Sequence, residues 1–158
     1  MPDITGAKRR CDILYHPDII AACGYYITKI DLSRYRYQRA GEMLASAKRD
    51  VEAGDYASAN NRAYYCIFYA MRAVLALDGE DFKKHSAVIA RFALNYLKTE
   101  ILPREYGKLI SNASLIRNRS DYEDFYICSI ADTEALLSGA VHFYLDVGQY
   151  LEKRYAEE

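Results

Sequence analysis

Three short polar clusters in this chain hold the residue types that could do chemistry, and each borders an apolar run. Asn61-Arg62 opens one run, Lys83-Lys84-His85-Ser86 opens another, and Arg117-Asn118-Arg119-Ser120-Asp121-Tyr122 closes a third. A guanidinium presents paired donors that match a phosphate, which makes Arg117 and Arg119 candidates for holding a phosphate or an RNA backbone. The same residues admit a plainer role. Asn61, Arg62, Arg117 and Asp121 could form a hydrogen-bonded, ion-paired network that fixes helix register and dimerisation. His85, in turn, either starts and packs a helix or moves protons. Cys11, His16 and Cys23 come nearest to a metal-ligand set, but their spacing fits no familiar zinc pattern and a fourth ligand is not evident. No metal and no cofactor is expected.

The bulk properties limit what such a site can be. The chain has 158 residues, enough for one domain with a substantial core. Lys and Arg number 21 against 22 Asp and Glu, a net charge of -1, so the surface cannot coat nucleic acid generally and any anion site must be local. With 51% apolar residues the chain is not globally disordered. Sixteen tyrosines and no Trp suit helix packing by rings whose hydroxyls reach the surface. None of the four cysteines forms a CxxC pair, and a reducing, cytoplasmic setting is expected.

The elements that must position the clusters are helices. The run Asn60 to Leu77 carries only Arg72 as a charge after Ala63, so it has almost no polar face and must be enclosed on several sides. It is short of a membrane span and reads as the central helix of a bundle. Before it, Ser33 is the expected N-cap of a first helix whose buried stripe is Tyr37, Ala40, Met43, Leu44, Ala47 and Val51. Gly54 stops that helix and Asp55 caps the next. A third helix is expected from about His85 to Lys98, with Val88, Ile89, Phe92 and Tyr96 inward. Pro103 fits the first turn of a fourth, striped by Tyr106, Leu109, Ile110, Ala113 and Ile116 up to Arg117. Ser120 to Tyr126 reads as a loop or frayed end. A last helix, roughly Ser129 to Lys153, should face inward through Ile130, Leu137, Ala140, Val141, Tyr144, Val147 and Leu151. The expectation is an all-α, antiparallel up-and-down bundle of about five helices over residues 31–158. Residues 1–30 read as a poorly ordered extension.

The motifs resemble those of a known family. AsnArgAlaTyrTyr at 61 to 65 with PheTyrAla at 68 to 70 looks like the opening signature of HEPN domains, and so does LysHisSerAlaValIle at 84 to 89. ArgAsnArgSerAspTyr at 117 to 122 resembles the Arg-x-x-x-Asp-Tyr form found in an uncharacterised branch of that superfamily. The resemblance covers about residues 33 to 153. It implies a helical bundle, often a homodimer, frequently encoded beside a minimal nucleotidyltransferase that acts as antitoxin to an RNA-cutting HEPN toxin. In those toxins an Arg followed by a His after four to six residues cuts RNA without metal, two copies facing each other across a dimer cleft.

This chain departs from that motif, because Tyr122 stands where the catalytic His would be. An ordinary tyrosine titrates near ~10 and is a poor base at neutral pH, though it can donate a hydrogen bond or a proton. The resemblance makes Arg117, Asp121 and Tyr122 the candidate catalytic residues. Arg119, Asn118, Arg62, Asn61, Lys83 and His85 are the candidate phosphate- or RNA-binding residues. In the toxin pairs the antitoxin can adenylylate a tyrosine two residues past the catalytic His. That position is Asp124 here, so the modification would have to use Tyr122 or Tyr126. Two functions remain open: a metal-independent RNA-binding or RNA-cutting toxin of a pair, or a non-catalytic nucleotide-binding or docking module for a nucleotidyltransferase. A purely structural adaptor is the third. No membrane partner is expected.

Overall fold

Helix α2, Tyr56–Leu77, is the axis of the fold, and its sequence explains why. Fourteen of its residues are buried, among them Tyr64, Ile67, Met71, Val74 and Leu75. A rod apolar on nearly every side is stable only inside a sheath. The computed structural model, which describes residues 27–158, supplies that sheath from four other helices. Helix α1 (Lys29–Glu52) packs most extensively on α2, followed by α5 (Ile130–Glu157), α4 (Tyr106–Tyr122) and α3 (His85–Phe92). The expected five-helix, all-α bundle is what is observed, with no strand among the described residues. None of the described helices is long and apolar enough to cross a membrane. Residues 1–26 of the expected extension, with Cys11, His16 and Cys23, lie outside the described residues.

The joints follow local chemistry. Gly54 at φ 76° and Gly79 at φ 73° adopt the left-handed turn that ends α1 and α2 at little steric cost. Asp55 caps α2 by accepting from the Ser58 N–H at 3.1 Å, as its sequence position predicts. The start of α1 differs from expectation. Thr28, not Ser33, is the N-cap, in a reciprocal capping box with Asp31. Ser33 is fully buried, its Oγ donating to the Ala73 carbonyl at 2.7 Å and sharing a 2.7 Å hydrogen bond with the Tyr155 hydroxyl. It therefore joins α1, α2 and α5 instead of ending a helix.

Helix α3 continues past Phe92 as a π-turn over Ala93–Leu97. That wider turn carries Tyr96, whose hydroxyl donates to the Asp78 carboxylate at the end of α2. Helix α4 runs on through Arg117 to Tyr122, so the third cluster is its last turn and a half. Helix α5 is rotated from its expected phase. Thr133, Leu136, Ala140, Phe143, Val147 and Leu151 are buried, whereas Ile130 is exposed and Leu137, Val141 and Tyr144 lie at the margin of the core. Most of that helix is apolar, so several stripes compete, and the largest ring, Phe143, takes the centre against Phe92 and Tyr106.

Candidate phosphate-binding site at Arg117

Successive residues of a helix point about 100° apart, so Tyr64 and Tyr65 of α2 cannot both face the core. Tyr64 is buried and Tyr65 half-buried, their rings meeting edge-on at 5.3 Å. One turn on, Phe68 lies parallel to Tyr64 at 6.0 Å. This shelf of rings receives two polar groups from other helices. His85, the first residue of α3, stacks on Phe68 at 4.1 Å and places its Nδ1 2.9 Å from the Tyr64 hydroxyl. Arg117 of α4 sets its guanidinium carbon 5.2 Å from the Tyr64 ring centre and 5.5 Å from that of Tyr65, within cation–π range. Two of the three separate clusters of the sequence thus converge, through α3 and α4, on the same two tyrosines of α2.

Arg117 is held in place but poorly satisfied. Its Nη2 donates to the Tyr65 hydroxyl over a long 3.4 Å. Its Nε lies 3.2 Å from Asp121 Oδ2, one turn along the helix, yet makes no aligned hydrogen bond. The pair is therefore a charge contact and not a fork-to-carboxylate bridge. A guanidinium has five N–H donors, and most of these have no acceptor among the described residues. With the side chain 19% exposed, the charge is largely withdrawn from bulk water but still reachable. A half-buried cation with unused donors suits an anion that arrives from outside.

The neighbourhood of His85 is cationic. Arg72 and Arg36 both pair with Asp81 at 3.0 Å, two guanidiniums on one carboxylate. Burial opposes the charge on Asp81, but the two arginines hold its carboxyl below the usual range. Burial, then the charges of Arg117 and Arg72, push His85 below its ordinary 6.5, so its imidazole is neutral at pH 7. Tyr64 moves the other way: burial raises its phenol, so it keeps its proton at neutral pH. Among the described residues no cluster of three His, Cys, Asp or Glu could hold a metal ion.

The remaining candidates fall around this centre. Asn61 and Arg62 line a shallow pocket of about 190 Å³ with Ala57, Ser58, Ser120 and Asp121. It is smaller than the roughly 300–1,000 Å³ of sites that enclose a small molecule, so it suits a group on an extended ligand. Arg119 is exposed and only loosely paired with Glu123, at 3.9 Å. Asn118 and Lys83 are exposed. Tyr122 is 76% exposed, and five residues along a helix turn it about 140° from Arg117. The structure brings Asp121, not Tyr122, to Arg117. Residue-type reasoning passes over Tyr64, Tyr65 and Phe68 as site residues, because within an apolar run they read as packing. Their one signal is that they sit inside the AsnArgAlaTyrTyr…Phe motif.

Known proteins are similar to this chain in sequence. A UPF0332 protein of Thermotoga maritima is 36% identical over 94 residues, 60% of this chain and 71% of that protein. Methanocaldococcus jannaschii contributes two relatives named "Putative toxin". One is 29% identical over 131 residues, 78% of this chain and 89% of that protein. The other is 35% identical over 83 residues, 52% of this chain and 62% of that protein. Residues 33–150, which span all three clusters and the helices that present them, match the HEPN domain, and the chain belongs to the HEPN family.

Proposed function

We propose that this chain is the toxin-like member of a toxin–antitoxin pair, binding RNA and cutting it without a metal at an Arg-centred cleft completed by a second copy of the chain. The observation that carries this reading is the state of Arg117: half-buried, seated on two tyrosine rings, and with most of its donors unused. The names of the two archaeal relatives support the toxin role. Apolar side chains exposed beside the end of α4 and the loop after it, Tyr122, Phe125 and Ile127, support a second copy covering that end. Phosphate gripping by Arg117 would orient the scissile linkage and stabilise charge as it grows on the phosphoryl oxygens. Arg119, Asn61 and Arg62 flank it as contacts for the neighbouring backbone.

The test is cleavage of a single-stranded RNA in EDTA, read together with binding of the same RNA and with the protein's oligomeric state. Metal-free products ending in a 2′,3′-cyclic phosphate, lost in Arg117→Ala with the fold intact, are the expected result. Intact RNA, with equal binding by wild type and Arg117→Ala, would overturn the reading. A second reading rests on the acidic loop: Asp121 faces Arg117, and Glu123 and Asp124 follow, which weakens attraction for a polyanion. It makes the domain a non-catalytic module that docks a minimal nucleotidyltransferase. Copurification with the product of an adjacent nucleotidyltransferase gene, unaffected by Arg117→Ala, would favour it.

A further inference from the structure

The cleavage reading leaves one chemical role without an owner. A 2′-hydroxyl attacks a phosphorus only as its proton is taken, and the residue at the usual position, Tyr122, is exposed and turned away from Arg117. We propose that His85, delivered by α3 and not by the Arg117 helix, is the proton acceptor, taking the proton of the ribose 2′-hydroxyl through its Nε2 while Arg117 holds the adjacent phosphate. This rests on the RNA-cleaving reading above.

Geometry supports the assignment in three ways. First, His85 and Arg117 share the same two rings: the His85 ring lies 5.9 Å from each of Tyr64 and Tyr65, and Arg117 lies over both. Second, the imidazole is fixed on both sides, stacked on Phe68 at 4.1 Å and tied through Nδ1 to Tyr64 at 2.9 Å. Third, Nε2 has no hydrogen-bond partner among the described residues. The tautomer then decides what Nε2 can do. The Tyr64 hydroxyl is buried beside the ring, 2.9 Å from Nδ1. In the tautomer that carries its proton on Nδ1, the Tyr64 oxygen accepts from Nδ1–H and the Nε2 lone pair is left for the incoming proton. Tyr64 is therefore a positioning residue and His85 the catalytic one.

The step balances without a metal or redox partner. The 2′-oxygen forms a bond to phosphorus as its proton passes to Nε2. The bond from phosphorus to the 5′-oxygen breaks, that oxygen takes a proton from water, and the products are a 2′,3′-cyclic phosphate and a free 5′-hydroxyl. The imidazolium then returns its proton to solvent. The charged groups around His85 suit a base: Arg117 on α4 and Arg72 on α2, with Asp121 and Asp81 as their counter-charges. The two arginines, together with burial, keep the ring unprotonated at pH 7.

The experiment uses the full chain and a single-stranded RNA in EDTA, measuring binding and single-turnover cleavage separately across pH 5 to 8. His85→Asn keeps a donor near the Nδ1 position, for Tyr64, and removes the base. The expected result is RNA affinity within about threefold of wild type and cleavage slowed roughly 100-fold or more. Wild-type cleavage should fall as pH drops below the ordinary histidine value, and the limb should vanish in His85→Asn. Added imidazole should restore cleavage to His85→Ala, a rescue that a merely structural role would not give. Wild-type rates in His85→Asn, or cleavage that rises as pH falls through that range, would overturn the assignment while leaving the RNA reading standing. So would loss of binding in place of cleavage. A wild-type protein that binds no RNA overturns both.

Discussion

Two tyrosine-rich regions of this bundle use the same residue types to opposite ends. Between α1 and α5, and again at the ends of α2 and α4, the hydroxyls of Tyr37, Tyr96, Tyr106 and Tyr155 are closed on partners. Tyr37 donates to the Tyr144 carbonyl at 2.8 Å and stacks on its ring at 4.5 Å. Tyr96 donates to Asp78, Tyr106 to Asp146, and Tyr155 to Ser33, whose own hydrogen goes to the Ala73 carbonyl. Arg154 there donates at 2.6 Å to Tyr150 and at 3.1 Å to Glu158. Around Tyr64 and Tyr65 the rings are equally well packed, but several polar groups beside them stay open. Arg117 Nε, Arg72 Nε and both polar atoms of the buried Asn60 have no hydrogen-bond partner among the described residues. A native fold rarely leaves buried polar atoms unmatched. Because the same chain closes its network elsewhere, the open one is a property of that place and not of the fold as a whole.

Breaking each region should therefore cost different things. Arg117→Ala should lower RNA cleavage roughly 100-fold or more, while stability falls by only about 1 kcal/mol, the scale of a cation–π contact. Kinetics paired with urea melts would check it. A loss of stability matching the loss of activity would mean that Arg117 belongs with the closed network. Gly148→Ala should do the reverse. A methyl there would meet the Tyr37 hydroxyl and ring, forcing the Tyr37–Tyr144 stack apart at a cost of about 1–3 kcal/mol. The cleavage rate of the folded fraction should not change.

The closed region also separates from the open one by pH. Burial and the Asp78 and Asp146 carboxylates push the phenols of Tyr96 and Tyr106 above their ordinary 10.0. Their contribution is fully present below pH 10 and is lost as pH rises through the folded values, because the unfolded chain ionises first. His85 is shifted the opposite way. The folded protein protonates it less readily than the unfolded one, so stability declines as pH falls below 6.5 towards the folded value. Urea midpoints measured from pH 5 to 11 should decline at both ends. Tyr106→Phe should flatten the alkaline limb, with a loss of about 1–2 kcal/mol at pH 7 from the broken hydrogen bond. His85→Phe should flatten the acid limb alone.

How much of this was legible in the residues differs by the range of the interaction. The Gly54–Asp55 joint and the enclosure of α2 follow from local conformational preference and from apolarity, and a linear reading finds them; Pro103, expected in the first turn of α4, instead precedes a helix that begins at Tyr106. Ser33 was misplaced because a serine after an aspartate suits a cap, and only the packing of α2 and α5 makes it a buried linker. The phase of α5 failed for a related reason: with Leu136, Leu137, Val141, Phe143 and Tyr144 all apolar, neighbouring helices choose the stripe. At the site, Arg117 and His85 could be named from type and motif. Their meeting over Tyr64 and Tyr65 could not, since it joins positions 21 and 52 residues apart through the bundle's topology.

The smallest expected effect is the sharpest probe of why Arg117 sits on a ring. Its hydrogen bond to Tyr65 is long, at 3.4 Å, and runs to a neutral oxygen, so it should matter little. The ring face beneath it is what the geometry at 5.5 Å favours. Tyr65→Phe keeps the ring and removes the hydroxyl. It should change stability by less than about 0.5 kcal/mol and RNA affinity by less than about twofold. Tyr65→Leu keeps the bulk and removes the quadrupole, and should weaken RNA binding by about two- to fivefold, matching a half-exposed cation–π contact of roughly 0.5–1 kcal/mol. If Tyr65→Phe were instead as damaging as Arg117→Ala, the hydroxyl would be part of the chemistry, and the open region would have a second proton-carrying group beside His85.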